Sequence, residues 1–177
     1  KLKPMSRAFV KEDADGEAVI VPARPPLPED GPNLVTPGGL VLLEAEFSGL
    51  QAQRQLLSQS KDLLEREQVR QLAVIDGQID VLRERLASAR VEPLPAAPLY
   101  EVVFGSSVTA QVKTGKFAGE KRQLTIVGVD EAETAPEKVA FTAPLAVALL
   151  GAKLNEEVRF EVAGKPQILK VLTIQNA

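Results

Sequence analysis

Asp62 and Glu65 stand three residues apart in the stretch KDLLERE, residues 61–67, with Glu67 just beyond. Carboxylates at that spacing share one helix face, where they could help to hold a cation and orient a water. An acid pair at i, i+3 on a charged helix is more often a solvated face. Lys61, Arg66 and Arg70 also bring the local charge near zero, which a cation's ligand set would not favour. The remaining residues narrow the chemistry further. With no cysteine and no histidine there is no disulfide, no thiolate or imidazole metal ligand and no imidazole base, which excludes most familiar enzyme sites.

The elements that must position these acids divide the 177 residues into an arm, a helical region, a linker and a strand-rich region. Residues 1–33 are rich in proline, glycine and acid without a sustained period, which predicts an extended or disordered arm. VIVPARPPLPED within it favours an extended polyproline conformation, a spacer or a recognition peptide. Met5, followed by SRAFVKED, reads as a natural start, with KLKP a foreign leader. Residues 34–90 hold one proline and are dominated by leucine, glutamine, glutamate and arginine, the composition of long helices. VEPLPAAP, residues 91–98, cannot continue a helix through three prolines and is a linker. Residues 99–177 carry short runs rich in valine, isoleucine, threonine and phenylalanine, separated by glycine or charged turns. The predicted class is therefore α+β. No stretch approaches the ~20 apolar residues that span a bilayer, so a cytoplasmic protein without membrane contact is expected. The net charge of −3 argues against holding duplex DNA through overall charge, which leaves nucleic-acid contact local or indirect.

The helical region supports an antiparallel hairpin. Thr36 is placed to cap a helix that has Pro37 at its first position. Heptads set Leu40, Phe47 and Arg54 at one seam position and Leu43, Leu50 and Leu57 at the other. Leu72, Ile75, Ile79, Leu82 and Leu86 form the second seam. Apolar faces apolar when Leu43 meets Leu86, Phe47 meets Leu82, Leu50 meets Ile79 and Leu57 meets Leu72. Arg54 then opposes Ile75 as the one mismatch, its stem free to snorkel. This register leaves residues 58–71 for the far end and puts KDLLERE at the tip. In the strand-rich region, YEVVFGSSVTAQV, EKRQLTIVGV, NEEVRFEV and PQILKVLTI read as strands. APLAVALLG reads as a helix that ends at Gly151.

FGSSVT (104–109), IVGVDEAE (126–133) and TAPLAVALLG (142–151), with VTPGGLVLLEAE (35–46) opening the hairpin, resemble the bacterial Gre transcription elongation factors over roughly residues 34–177. The resemblance implies an antiparallel coiled coil followed by an FKBP-like antiparallel sheet domain with one helix. It implies a partner, core RNA polymerase, bound at the mouth of its secondary channel through the C-terminal domain, with nascent RNA engaged indirectly. In that family, acids at the coil tip help the polymerase to hold a second magnesium and cut backtracked RNA. Asp62 and Glu65 match their spacing, and the chain would have no cofactor of its own. Two-metal hydrolysis needs carboxylates that hold the weaker ion and orient the attacking water. The resemblance also assigns Asp130, Glu131 and Glu133, with Ala143, Pro144 and Leu145, to two loops that meet the polymerase. On their residues alone these are a solvated turn and a helix start.

The chain departs from the family pattern in two respects. The hairpin is shorter by about 12 residues, about six per arm, or roughly 9 Å of reach at the helical rise. Ala143 stands where the family has serine, and Val147 where it has a basic residue. The shortness favours a factor that occupies the channel without cleavage activity over a cleavage stimulator. Arg54, Arg66 and Arg70 could face RNA, although such arginines more often pair with nearby acids. GKFAGEKR, residues 115–122, lacks the order of a phosphate-binding loop and reads as a hairpin turn. Prolyl isomerisation would require an aromatic-walled pocket, whereas Phe104, Phe141 and Phe160 are needed in the core. An interaction module with a non-polymerase partner is the remaining alternative, and the oligomeric state is open.

Overall fold

The computed structural model describes residues 9–12, 18–60 and 64–176. In chain order the elements are β1 (Phe9–Glu12), β2 (Ala18–Val21), β3 (Asn33–Val35), α1 (Pro37–Gln59), α2 (Glu65–Ser88), β4 (Ala89–Val91), β5 (Ser106–Val112) and β6 (Lys121–Val127). A 3-10 turn (Glu131–Thr134), β7 (Lys138–Ala140), α3 (Pro144–Leu149), β8 (Glu157–Val162) and β9 (Lys165–Asn176) complete the α+β chain. They fall into two compact units, the first formed by the described residues up to Pro26 with Leu40–Ala89, the second by Leu27–Gly39 with Arg90 onward.

In the helical unit, Leu43, Ile75, Ile79 and Leu82 are buried, and Phe47, Leu50, Leu57, Leu72 and Leu86 are half-buried. Burying such side chains is the main stabilising term, about 1.5–3 kcal/mol for each fully buried leucine or isoleucine. Arg54, the charged seam position, stays exposed, and its Nε donates to Asp76 Oδ1 of α2 at 2.5 Å. That hydrogen bond, with the attraction of the same carboxylate, raises the Arg54 pKa above its ordinary value.

The segment expected to be an extended or disordered arm is ordered over its described residues. β1 and β2 pair antiparallel, and Val21 of β2 is 2% exposed. Val21 packs on α2 at Gly77, where an added Cβ would lie 2.4 Å from Val21 Cγ2. Glycine inside a helix costs about 1 kcal/mol relative to alanine, and the close approach of β2 is the reason for it here. Farther along, Arg24 forks onto the Glu46 carboxylate of α1 at 2.8 and 3.0 Å, and Arg85 of α2 donates to the Pro25 carbonyl. AVIV is four residues among prolines and acids, too short for its alternation to stand out in the sequence.

The second unit holds a five-stranded sheet in the order β7-β6-β5-β9-β8. β5 pairs antiparallel with β6 and β9, and β8 with β9, but β6 and β7 run parallel, which corrects the expectation of a wholly antiparallel sheet. β7 is only three residues long and carries no readable period. One face of the sheet and α3 enclose the core, in which Val108, Ala110, Ile126, Leu149 and Val171 are essentially inaccessible. Phe104 and Phe141 meet edge to face at 5.7 Å and, with Phe160, pack against that core. α3 ends as its sequence predicts, with Gly151 at φ +81°, a left-handed conformation that favours glycine. β3 and β4 form a separate two-stranded sheet, extended by the Glu92 amide donating to the Val35 carbonyl at 3.0 Å.

Candidate functional site

Asp62 lies outside the described residues. Glu65 is the first residue of α2 and is exposed, as are Leu64, Arg66 and Glu67. A carboxylate in the first turn suits the positive end of the helix dipole. The turn is tied by a residue that the pattern of acids did not single out. Gln68 Nε2 donates to the Leu57 carbonyl at 2.6 Å, which also accepts from the Ser60 amide at 3.2 Å, and to the Ser60 carbonyl at 3.0 Å, adding a side-chain donor to the carbonyls at the end of α1. Gln71 donates to Glu67 Oε1 at 2.8 Å. Glu65 therefore stands beside Arg66 as an exposed carboxylate at the start of α2. One such group does not make a magnesium site by itself, because the ion requires several oxygen ligands in near-octahedral geometry. Among the described residues no cluster of three or more acids suited to a metal is present.

In the second unit the VGVDEAE segment performs internal work. Gly128 lets β3 approach, since an added Cβ there would lie 2.7 Å from the Leu34 carbonyl oxygen. Glu131, 8% exposed, accepts from the Thr36 hydroxyl at 2.5 Å and from Lys138 Nζ at 2.9 Å. Thr36 Oγ1 in turn accepts from the Gly39 amide at 2.9 Å, the cap expected at the start of α1. One carboxylate thus fixes the capping hydroxyl and stands at the positive end of the helix. The Glu131 side chain is directed inward, while Glu133 is exposed and Asp130 is half-buried. Pro144 is exposed at the first position of α3, flanked by half-buried Ala143 and Leu145.

Residues 97–176 match the family model described as transcription elongation factor, GreA/GreB, C-terminal. Over 164 residues the chain is 30% identical to transcription elongation factor GreB of Pseudomonas aeruginosa, a match that covers 86% of this chain and 95% of that protein. The chain belongs to the GreA/GreB family. It is also 34% identical over 101 residues to transcription elongation factor GreA of Pelobacter propionicus, covering 57% of this chain and 62% of that protein. The chain therefore aligns with less than two thirds of the length of that GreA relative. A solved GreA/GreB structure from Nitrosomonas europaea is 20% identical, covering 82% of this chain and 99% of that one at a TM-score of 0.38, too low to carry an arrangement of the whole chain.

Within this GreA/GreB-family chain, Ala143 occupies the N-cap position of α3 and gives it no side-chain cap, and Val147 is 60% exposed. Among the described residues no helix is long and apolar enough to cross a membrane.

Proposed function

We propose that this chain is a cytoplasmic transcription elongation factor that binds core RNA polymerase at the secondary channel. The match to GreB across 95% of that protein carries the reading. Two consecutive long helices, α1 and α2, with Arg54 of one bonded to Asp76 of the other, support it. In this reading α1 and α2 act as an antiparallel coiled coil that enters the channel, and the C-terminal unit is the FKBP-like domain that docks. Asp130, Glu133, Ala143, Pro144 and Leu145 contribute the docking surface. Glu131 contributes indirectly by holding the loop and the start of α1 together. The protein is not itself an enzyme, and nascent RNA is affected through the polymerase.

The tip acts primarily by occupancy. Arg66 beside Glu65, together with roughly 9 Å less reach than the family pattern, favours a regulator of elongation over a strong stimulator of RNA cleavage. Magnesium, if held, would be shared with the polymerase through Asp62 and Glu65, supplying charge stabilisation to the cut phosphodiester.

The test is binding and RNA cleavage in backtracked elongation complexes of the cognate polymerase, with wild type and the Asp62→Ala/Glu65→Ala variant. Both proteins should bind, with little cleavage from either. Strong wild-type cleavage lost in the variant with binding retained would make the tip catalytic. Absence of binding by wild type would remove the polymerase reading.

A further inference from the structure

The sheet of the second unit has one face on the core and another that is polar. Along β5, Val108, Ala110 and Val112 enter the core, so alternation sends Ser107, Thr109 and Gln111 to the opposite face. Register extends that face in rows. Thr109 lies opposite Gln123 and Thr173, and Gln111 opposite Lys121 and Lys170. A register shift between Thr109 and Ala110 keeps Thr173 on the polar side while Val171 and Ile174 serve the core. On β8, Glu157 lies opposite Lys170 and Arg159 opposite Ile168, whose carbonyl accepts from the Lys113 amide at 2.8 Å.

Two neighbouring rows at one end of the sheet therefore gather Lys113, Lys121, Arg159 and Lys170, with Glu157 as their acid. Among the described residues none of these four cations is held in a salt bridge. The turn between β5 and β6 lies at this end and carries Phe117, 46% exposed. Lys116 Nζ stands 5.8 Å from the centre of its ring and Arg122 Cζ 5.1 Å. A chain of net charge −3 thus gathers Lys113, Lys121, Arg159 and Lys170 beside a row of hydroxyls and amides, while Arg122, opposite Ala110, and the Phe117 ring that it meets lie toward the other side of β6.

We propose that this face binds single-stranded RNA. Cations track phosphates, and hydroxyl or amide side chains can both donate to and accept from a ribose 2′-hydroxyl. Thr109, Thr173, Gln111 and Gln123 occupy the middle of the face and provide the discrimination against DNA. Four adjacent strands at ~4.8 Å spacing span roughly 14 Å, a platform for two or three nucleotides. The site is independent of the coil tip and of polymerase docking.

The measurement is fluorescence anisotropy of the whole chain with labelled oligouridine and with oligothymidine of equal length, across a salt series and without polymerase. Oligouridine should bind more tightly. Lys121→Glu/Lys170→Glu should weaken it by tenfold or more. Lys121→Gln/Lys170→Gln, a milder change at the same positions, should lower the salt dependence by about one unit or more. Phe117→Ala, at a ring on the other side of β6, should leave binding as in wild type. Arg83→Glu, on α2, should leave binding as in wild type. No oligouridine binding, equal binding of oligothymidine, or unchanged binding in folded variants of both lysines would overturn the proposal.

Discussion

Gly38 and Gly39 follow each other at the start of α1, yet their surroundings predict opposite responses to the same substitution. A Cβ at Gly38 would have Thr36 Oγ1 as its nearest neighbour, at 3.7 Å. At Gly39 it would lie 2.7 Å from Glu131 Oε2, an oxygen held by the Thr36 hydroxyl. Alanine loses less backbone entropy than glycine on entering a helix, a gain of up to about 1 kcal/mol. Gly38→Ala should therefore be neutral or stabilising. Gly39→Ala should displace the Glu131 carboxylate from its partners and cost about 1–3 kcal/mol, the penalty for disturbing a charge-assisted hydrogen bond in a buried setting. Denaturant midpoints of the two variants check the contrast. Equal midpoints would mean that Glu131 yields freely and is no tether. Thr36 was readable as a cap because the signal is local, whereas its bond to Glu131 joins positions 95 residues apart and leaves no local pattern.

At the scale of elements, periodicity carried the inward-facing apolar positions of α1 and α2, the four longer strands and the end of α3, since each depends on a repeating pattern or a capping residue. It did not carry β7, whose three residues have no period, or the docking of β2, which depends on one glycine far along the chain. Asp62, half of the acidic pair, lies outside the described residues, while Gln68, which ties the turn, carries no charge to draw notice. The β2 contact can be tested through its own glycine. If β2 did not pack on α2, Gly77→Ala would stabilise the helix by about 1 kcal/mol. With Val21 Cγ2 in the space of the new methyl group, it should instead destabilise by about 1–3 kcal/mol, as overpacking does. Val21→Ala leaves room for that methyl, so the double variant should be more stable than the sum of its single changes predicts. A double-mutant cycle of unfolding free energies measures the coupling, and additive effects would show that β2 and α2 do not meet at Gly77.

For the whole molecule, the proposed function turns on reach as much as on the identity of the acids. A helix gains 1.5 Å per residue, so one added heptad per arm lengthens a hairpin by about 10 Å, close to the shortfall from the family pattern. Seven residues also preserve the seam, because the apolar positions recur at that interval. Duplicating residues 53–59 in α1 and 70–76 in α2 would repeat facing segments and leave the Gln68 tie and KDLLERE in place. If short reach limits the chain, the lengthened protein should bind the polymerase as wild type does and cut backtracked RNA at least about tenfold faster. That gain should vanish when Asp62→Ala and Glu65→Ala are added, because only a tip that ligates or orients can lose activity with its carboxylates. A lengthened protein that binds but does not cleave would place the limit in the charge around the acids. Arg66, beside Glu65, would then be the residue to change next.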